Sequence, residues 1–198
     1  MSQTAPILTF RVSIPSKASP EAIYDVLSDL RTHLEWAGER SPDKGFRLLT
    51  MDAPSRSATV GNQFSSSGAN VNGTFHDRST VVQAERGTRF GFDTESTLER
   101  KHGKTWHSRF GHRYTLERSS DGAVVSYTCE VRPQNYVPYW LKPGMRAVTR
   151  VIVQRAMRRN MGNLAEMAES RPRAAHRHSP HSQGCWVVAA SRPSHPSA

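Results

Sequence analysis

The chain has 198 residues, a length that fits one domain or one domain with a tail. Apolar residues make up 36% and charged residues 22%, with 12 Pro and 13 Gly, which excludes a collagen-like or wholly disordered chain. The formal charge of +10 is unevenly spread: residues 1–141 hold 17 basic and 15 acidic groups, residues 142–170 hold 6 and 2, and residues 171–198 hold 4 and 0. A near-neutral body with a basic C-terminal end argues against specific nucleic-acid binding. Cys129 and Cys185 are too few for a disulfide framework, and no Cys/His run has zinc spacing, so neither a metal nor another cofactor is expected. The N-terminal stretch lacks the basic and apolar regions of a signal peptide, and no stretch approaches the ~18 apolar residues of a membrane span. A cytoplasmic protein is expected.

From Leu8 to Ile14 apolar and polar residues alternate, predicting a half-buried first strand. Ser19, Pro20 and Glu21 then supply an N-cap, a proline suited to the first helical turn and an acid at the positive end of the dipole. Ile23, Val26, Leu27 and Leu30 continue at helical spacing. Asp29 is expected to cap a second short helix carrying His33 and Trp36.

Segments 46–52, 60–65, 71–76 and 79–86 read as short strands between Gly, Pro, Asn and Asp breaks. Alternation is stronger in Phe90, Phe92 and Thr94, then Trp106, Ser108, Phe110, His112, Tyr114 and Leu116, then Val125, Tyr127, Cys129 and Val131. Turn residues around Gly103 and Gly122 separate these runs, giving an antiparallel meander with one aromatic and one polar face. Beyond Pro143 and Gly144, Val153, Met157, Met161, Leu164 and Ala168 share one face of a long helix. Met145, Val148 and Ile152 lie out of phase with that face, predicting a bend or a change of partner near residues 151–153.

Strand, two short helices, antiparallel strands and a closing helix together resemble the START-like helix-grip superfamily (SRPBCC), in its polyketide cyclase/dehydrase and lipid-transport branch. The matching stretches are Ala18-Ser19-Pro20-Glu21, DLRTHLEW with Asp29, His33 and Trp36, Val60-Gly61 ahead of Phe64, GTRFGFDTE, FGHRYTLE and AVVSYTCEV. The resemblance covers residues 6–170. It implies an α+β fold in which a curved antiparallel sheet of about six to seven strands wraps a long C-terminal helix, enclosing a cavity for a hydrophobic small molecule. The expected organisation is a helix-grip domain over residues 1–170 and a basic, disordered tail over 171–198.

Nine of the 16 aromatics, Phe10, Phe64, Phe75, Phe90, Phe92, Trp106, Phe110, Tyr114 and Tyr127, fall on strand inner faces. Taken singly, each is better explained by an ordinary packed core, and it is the resemblance that favours a cavity. The candidate ligand-binding residues are Phe90, Phe92, Thr94, Trp106, Ser108, Phe110, His112, Tyr114, Tyr127 and Cys129. His112 is weighed evenly between a polar ligand contact and a buried neutral ring bonded to Tyr127 or Ser108. His33 and Trp36 are read as structural. Acids of clear parity, Asp93, Glu95, Glu117 and Glu130, face outward with Arg89, Arg109 and Arg113, so no catalytic set is identified.

The expected function is binding, or transport, of a lipid or polyketide. The alternatives are a cyclase/dehydratase using the same cavity, and an adapter for anionic membrane through Tyr136, Tyr139, Trp140 and the arginines of the last helix. The oligomeric state is left open. The tail lacks core-forming periodicity, so deletion of residues 171–198 is expected to leave the melting temperature and the binding of a hydrophobic probe nearly unchanged in thermal and fluorescence titrations. A large loss of stability would place Trp186 against the body.

Overall fold

The computed structural model describes residues 5–40, 46–70 and 72–171. The expectations about the tail beyond Arg171, including Cys185 and Trp186, lie outside the described residues.

Seven antiparallel strands form one sheet in the order β1-β7-β6-β5-β4-β3-β2. They are β1 (Leu8–Ser16), β2 (Phe46–Asp52), β3 (Gln63–Asn70), β4 (Gly73–Glu85), β5 (Arg89–Arg100), β6 (Trp106–Ser119) and β7 (Gly122–Pro133). Between β1 and β2 stand α1 (Pro20–Ser28), the single turn α2 (Thr32–Leu34) and a π-helical turn, Glu35–Glu39. Two 3-10 turns, Tyr139–Leu141 and Pro143–Met145, lead into α3 (Arg146–Ser170).

The local signals explain most of these elements. Ser19 Oγ accepts from the Ala22 N–H at 3.2 Å, capping α1, and Pro20 occupies its first turn. The Asp29 carboxylate binds Arg31 Nε instead of capping α2. The turn after α1 is held by Thr32 Oγ1, which donates to the carbonyls of Val26 and Asp29. Gly103 and Gly122 adopt positive φ at the two hairpins where turns were expected.

The strand boundaries between residues 60 and 86 differ from the sequence reading. Segments 71–76 and 79–86 belong to one long strand, β4, and the segment read as 60–65 begins only at Gln63, after a turn at Gly61. A bulge between Val81 and Gln83 shifts the register of β4 against β5. The apparent break in the sequence lies earlier, at Asp77 and Arg78, where two charged residues interrupt the pattern although the ladder with β5 runs through them. Before the bulge Phe75, Asp77, Ser79 and Val81 sit opposite Leu98, Ser96, Thr94 and Phe92; beyond it Ala84 meets Phe90.

The inner sheet face carries the core. Ile23, Val26, Leu27 and Leu30 of the α1 region are fully buried, as are Phe90 of β5 and Val125 of β7. Helix α3 packs on α1, β1 and the π-helical turn, burying Asn160, Met161, Leu164, Ala165, Met167 and Ala168. Its first turns behave differently: Val148, Val151 and Ile152 are 51%, 50% and 63% exposed. The out-of-phase residues Val148 and Ile152 thus face solvent in a continuous helix, with no second partner among the described residues.

Candidate functional site

Where α3 crosses the sheet it leaves a cavity of about 110 Å³. The sheet supplies Leu48 and Met51 from β2, Phe64 and Ser66 from β3, Asp77 and Ser79 from β4, Phe92 and Thr94 from β5, His112 and Tyr114 from β6, and Tyr127 from β7. The opposite wall is His33 of α2, Trp36 and Ala37 of the π-helical turn, and Met157, Asn160 and Met161 of α3. Ala37, Met51, Ser66 and Met157 are only partly buried.

Aromatic rings make up much of the wall. Phe92 stacks on the His112 ring with centroids 4.5 Å apart, meets Phe64 edge-on at 5.2 Å and lies 6.0 Å from His33. His33 in turn lies 4.8 Å from Trp36. Such offset and edge-on pairs fix ring orientation as well as burying area.

The polar groups sit within this apolar frame. His33 Nε2 donates to the Leu27 carbonyl at 2.9 Å, because a carbonyl can only accept; the neutral ring therefore carries its lone pair on Nδ1. Burial pushes the His33 pKa down to about 4. His112 falls further, to about 3, through burial and the nearby charge of Arg113, and its Nδ1 shares a 2.7 Å hydrogen bond with the Tyr127 hydroxyl. The Tyr127 phenol is held well above its ordinary pKa by burial and stays protonated, while burial pushes the Cys129 thiol up to about 12. The hydroxyls of Ser79 and Thr94 bond each other at 2.8 Å across the β4–β5 ladder. Asp77 is the carboxyl of the wall. Burial raises its pKa to about 6, opposed by a hydrogen bond from Ser96 and by nearby His76.

Of the ten candidate residues, Phe92, Thr94, His112, Tyr114 and Tyr127 line the cavity. The other five share their face but lie elsewhere along the strands. Phe90 is fully buried against Tyr24 of α1. Trp106 packs edge-on to Trp140 and Phe110 and donates its indole N–H to the Tyr136 carbonyl. Ser108 and Cys129 are buried outside the cavity wall. His33 and Trp36, read as structural, belong to the wall. Asp77 escaped the sequence reading because it fell in the gap between two supposed strands. Reading β4 as one strand, with Phe75 and Val81 on the core side, would have turned it inward. Among the described residues no three His, Cys, Asp or Glu side chains converge as metal ligands, and no helix is long and apolar enough to cross a membrane.

A curved antiparallel sheet gripping a C-terminal helix around an aromatic cavity defines a START-like helix-grip protein. The chain belongs to the family described as polyketide cyclase / dehydrase and lipid transport, whose model matches residues 8–169. No curated protein matches the chain. Protein CV1439 from Chromobacterium violaceum is similar in structure, with a TM-score of 0.55 at 16% identity, covering 82% of this chain and 99% of that one. TTHA0849 from Thermus thermophilus has a TM-score of 0.58 at 13% identity over 82% of this chain and 97% of its own. Ara h 8.0201 has 0.52 at 10% over 83% and 99%. At these identities the likeness is one of fold. Family and fold together suggest binding of hydrophobic ligands in the cavity.

The cavity's titrating groups make stability depend on pH in two opposed ways. His33 and His112 have folded pKa values below the ordinary 6.5, so the unfolded chain binds more protons. Their contribution is full above pH 6.5 and is lost as pH falls through about 4, on the order of a few kcal/mol. Asp77 acts with the opposite sign: its raised pKa stabilises below 3.8, and that contribution is lost as pH rises through about 6. Two histidines outweigh one carboxyl, so denaturant unfolding is expected to show stability falling from pH 6.5 to 4. His112→Phe should flatten that dependence.

Proposed function

We propose that this protein binds a compact hydrophobic small molecule in the cavity between the sheet and α3. The observation carrying this reading is the aromatic enclosure formed by Trp36, Phe64, Phe92, Tyr114 and Tyr127. Size narrows the ligand. Pockets for drug-sized molecules run to about 300–1,000 Å³, whereas an apolar cavity of about 150 Å³ takes up benzene. At about 110 Å³ the space suits a single ring better than an acyl chain or an extended poly-ketone. The test compares two charges on one sheet face. Phe92→Arg places a guanidinium in the cavity and is expected to abolish toluene binding measured by NMR titration. Phe110→Arg, outside the cavity wall, should retain it. If Phe92→Arg does not fold, Ala37→Trp at the partly buried edge of the wall should block uptake. Undiminished toluene binding in a folded Phe92→Arg protein would remove this reading.

A second reading concerns the outside of α3. Val148, Val151 and Ile152 of α3 are exposed, as are Val137 and Tyr139 in the segment that leads into it, and Arg146, Arg150 and Arg155 lie on the same part of the chain. Apolar groups interleaved with cations suit an anionic lipid surface, where the side chains enter the headgroup region and the guanidinium groups meet phosphates. The protein is expected to sediment with phosphatidylserine vesicles at low salt and less at physiological salt, and not with neutral phosphatidylcholine. The triple change Val148, Val151 and Ile152 to Ser should weaken that association. Equal binding to both vesicle types, or none at low salt, would exclude the membrane contact.

A further inference from the structure

Buried polar atoms in folded proteins are nearly always partnered, so those left alone mark places where the chain's own hydrogen bonding is incomplete. Three residues of the cavity wall carry such atoms: the indole Nε1 of Trp36, Oδ1 of Asp77 and the amide Oδ1 of Asn160. Trp36 and Asn160 are 5% and 4% exposed, so bulk water does not satisfy them. The three come from different elements, the π-helical turn, β4 and α3. The other unpartnered atoms of this kind among the described residues, on Ser28, Arg100, Ser108 and Trp140, belong to no part of this wall. Each unmet group carries the full desolvation penalty with no hydrogen bond to offset it. The three atoms have almost no surface open to the cavity, so a guest would reach them through small side-chain rotations; three such residues on one wall are better explained by a bound partner than by three separate defects.

We propose that Trp36, Asp77 and Asn160 are the polar ligand contacts of the cavity, and that the ligand is a compact, uncharged hydroxylated ring compound. This rests on the cavity-binding reading above and adds the polarity of the ligand. The chemistry follows from the donor inventory. An indole N–H only donates, so its partner must be an acceptor oxygen or nitrogen. An ionised carboxylate and an amide oxygen only accept, so theirs must be O–H or N–H donors. A hydrocarbon meets none of the three. An ammonium ion would meet Asp77 but leave the indole N–H facing a cation. A phenolic hydroxyl donates and accepts through one oxygen, and a ring with a second hydroxyl or a carbonyl reaches a further contact. The rest of the wall, Phe64, Phe92, Tyr114 and Met161, receives the ring faces.

Asp77 makes this recognition depend on pH. A carboxyl titrating near 6 is an ionised acceptor at pH 8 and a neutral acid at pH 5. Among the groups of the cavity wall it is the one that changes charge over most of that interval. Ser66 of β3, Ser96 of β5, Met157 and Asn160 of α3, Trp36 and Ala37 of the π-helical turn, and Leu48 and Met51 of β2 bring no charge. His33 and His112 stay neutral above pH 5, and Tyr114 and Tyr127 stay protonated. His76, on the opposite face of β4, acts on the carboxyl from outside the cavity.

The experiment titrates the full chain with phenol and with benzene by NMR between pH 5 and 8. Phenol is expected to bind about tenfold or more tightly than benzene at pH 8, the scale of a hydrogen bond to a charged group. That preference should shrink as pH falls through 6 while benzene binding stays flat. Asp77→Leu should reduce the preference, remove its pH dependence and retain benzene. Asp77→Asn, which keeps the side-chain size and leaves His76 in place, should abolish the pH dependence, and it decides the matter if the leucine variant does not fold. Equal affinities in the wild-type protein, an undiminished preference in Asp77→Leu, or a pH dependence surviving in Asp77→Asn would overturn the proposal and leave the cavity reading standing. Absence of binding by either probe would remove both.

Discussion

The structure depends on one packing requirement: a seven-stranded sheet with a single apolar face must have that face covered, and α1 and α3 share the covering. The C-terminal half of α3 meets this need with Met161, Leu164, Ala165, Met167 and Ala168, all buried against α1 and the sheet. A helix is about 10–12 Å wide with its side chains, so it cannot fill the whole concave face. The space left beside it is lined by the chain that crosses from β1 to β2, through His33, Trp36 and Ala37. Core and cavity are therefore two outcomes of the same geometry, separated by how far along each strand a residue lies.

This separation explains what could be read from the sequence. Strand parity assigns a side chain to one face of the sheet, and the inward set from Phe90 to Val131 follows its alternation through three strands. The cap at Ser19 and the glycine turns were equally local, and so equally legible. Position along a strand is not local. Phe90 and Phe92 have the same parity, yet one is sealed beneath Tyr24 and the other faces the cavity, because α1 covers only one end of the sheet. The same reasoning moves Trp106 and Phe110 into a separate cluster with Trp140. Asp77 was hidden for another reason: with Arg78 it forms a charged pair between two apolar stretches, and a polar residue inside a continuous strand looked like a break between two.

The polar groups of the wall divide into those the protein satisfies and those it does not. Ser79 and Thr94 bond one another, His112 and Tyr127 bond one another, and His33 is fixed by a main-chain carbonyl. The two side-chain pairs tie neighbouring strands together and burial holds both imidazoles neutral, so these groups shape the site without charging it. Enclosure by aromatic rings strengthens any electrostatic contact made inside. A single carboxyl in such surroundings therefore has more influence on selectivity than it would on the open face, where Arg109–Glu95 and Arg113–Asp93 pairs are exposed to solvent and contribute little.

Helix α3 is fastened unevenly. Near its C-terminus Glu169 accepts from both the Ser16 hydroxyl and the Lys17 N–H, and at mid-helix Asn163 donates to the main-chain carbonyls of Trp36 and Arg40. Towards the N-terminus Gln154 donates to the Arg11 carbonyl, while Thr149 and Arg146 donate only to the carbonyls of Trp140 and Leu141 in the segment leading into the helix, and the apolar residues there face solvent. The helix is thus a cantilever, clamped over the core and lightly held over Met157. Its lightly held arm is the part whose displacement would disturb the buried half least, so a guest that needs room beside Met157 is expected to gain it by a small local deflection there, without the folded core yielding.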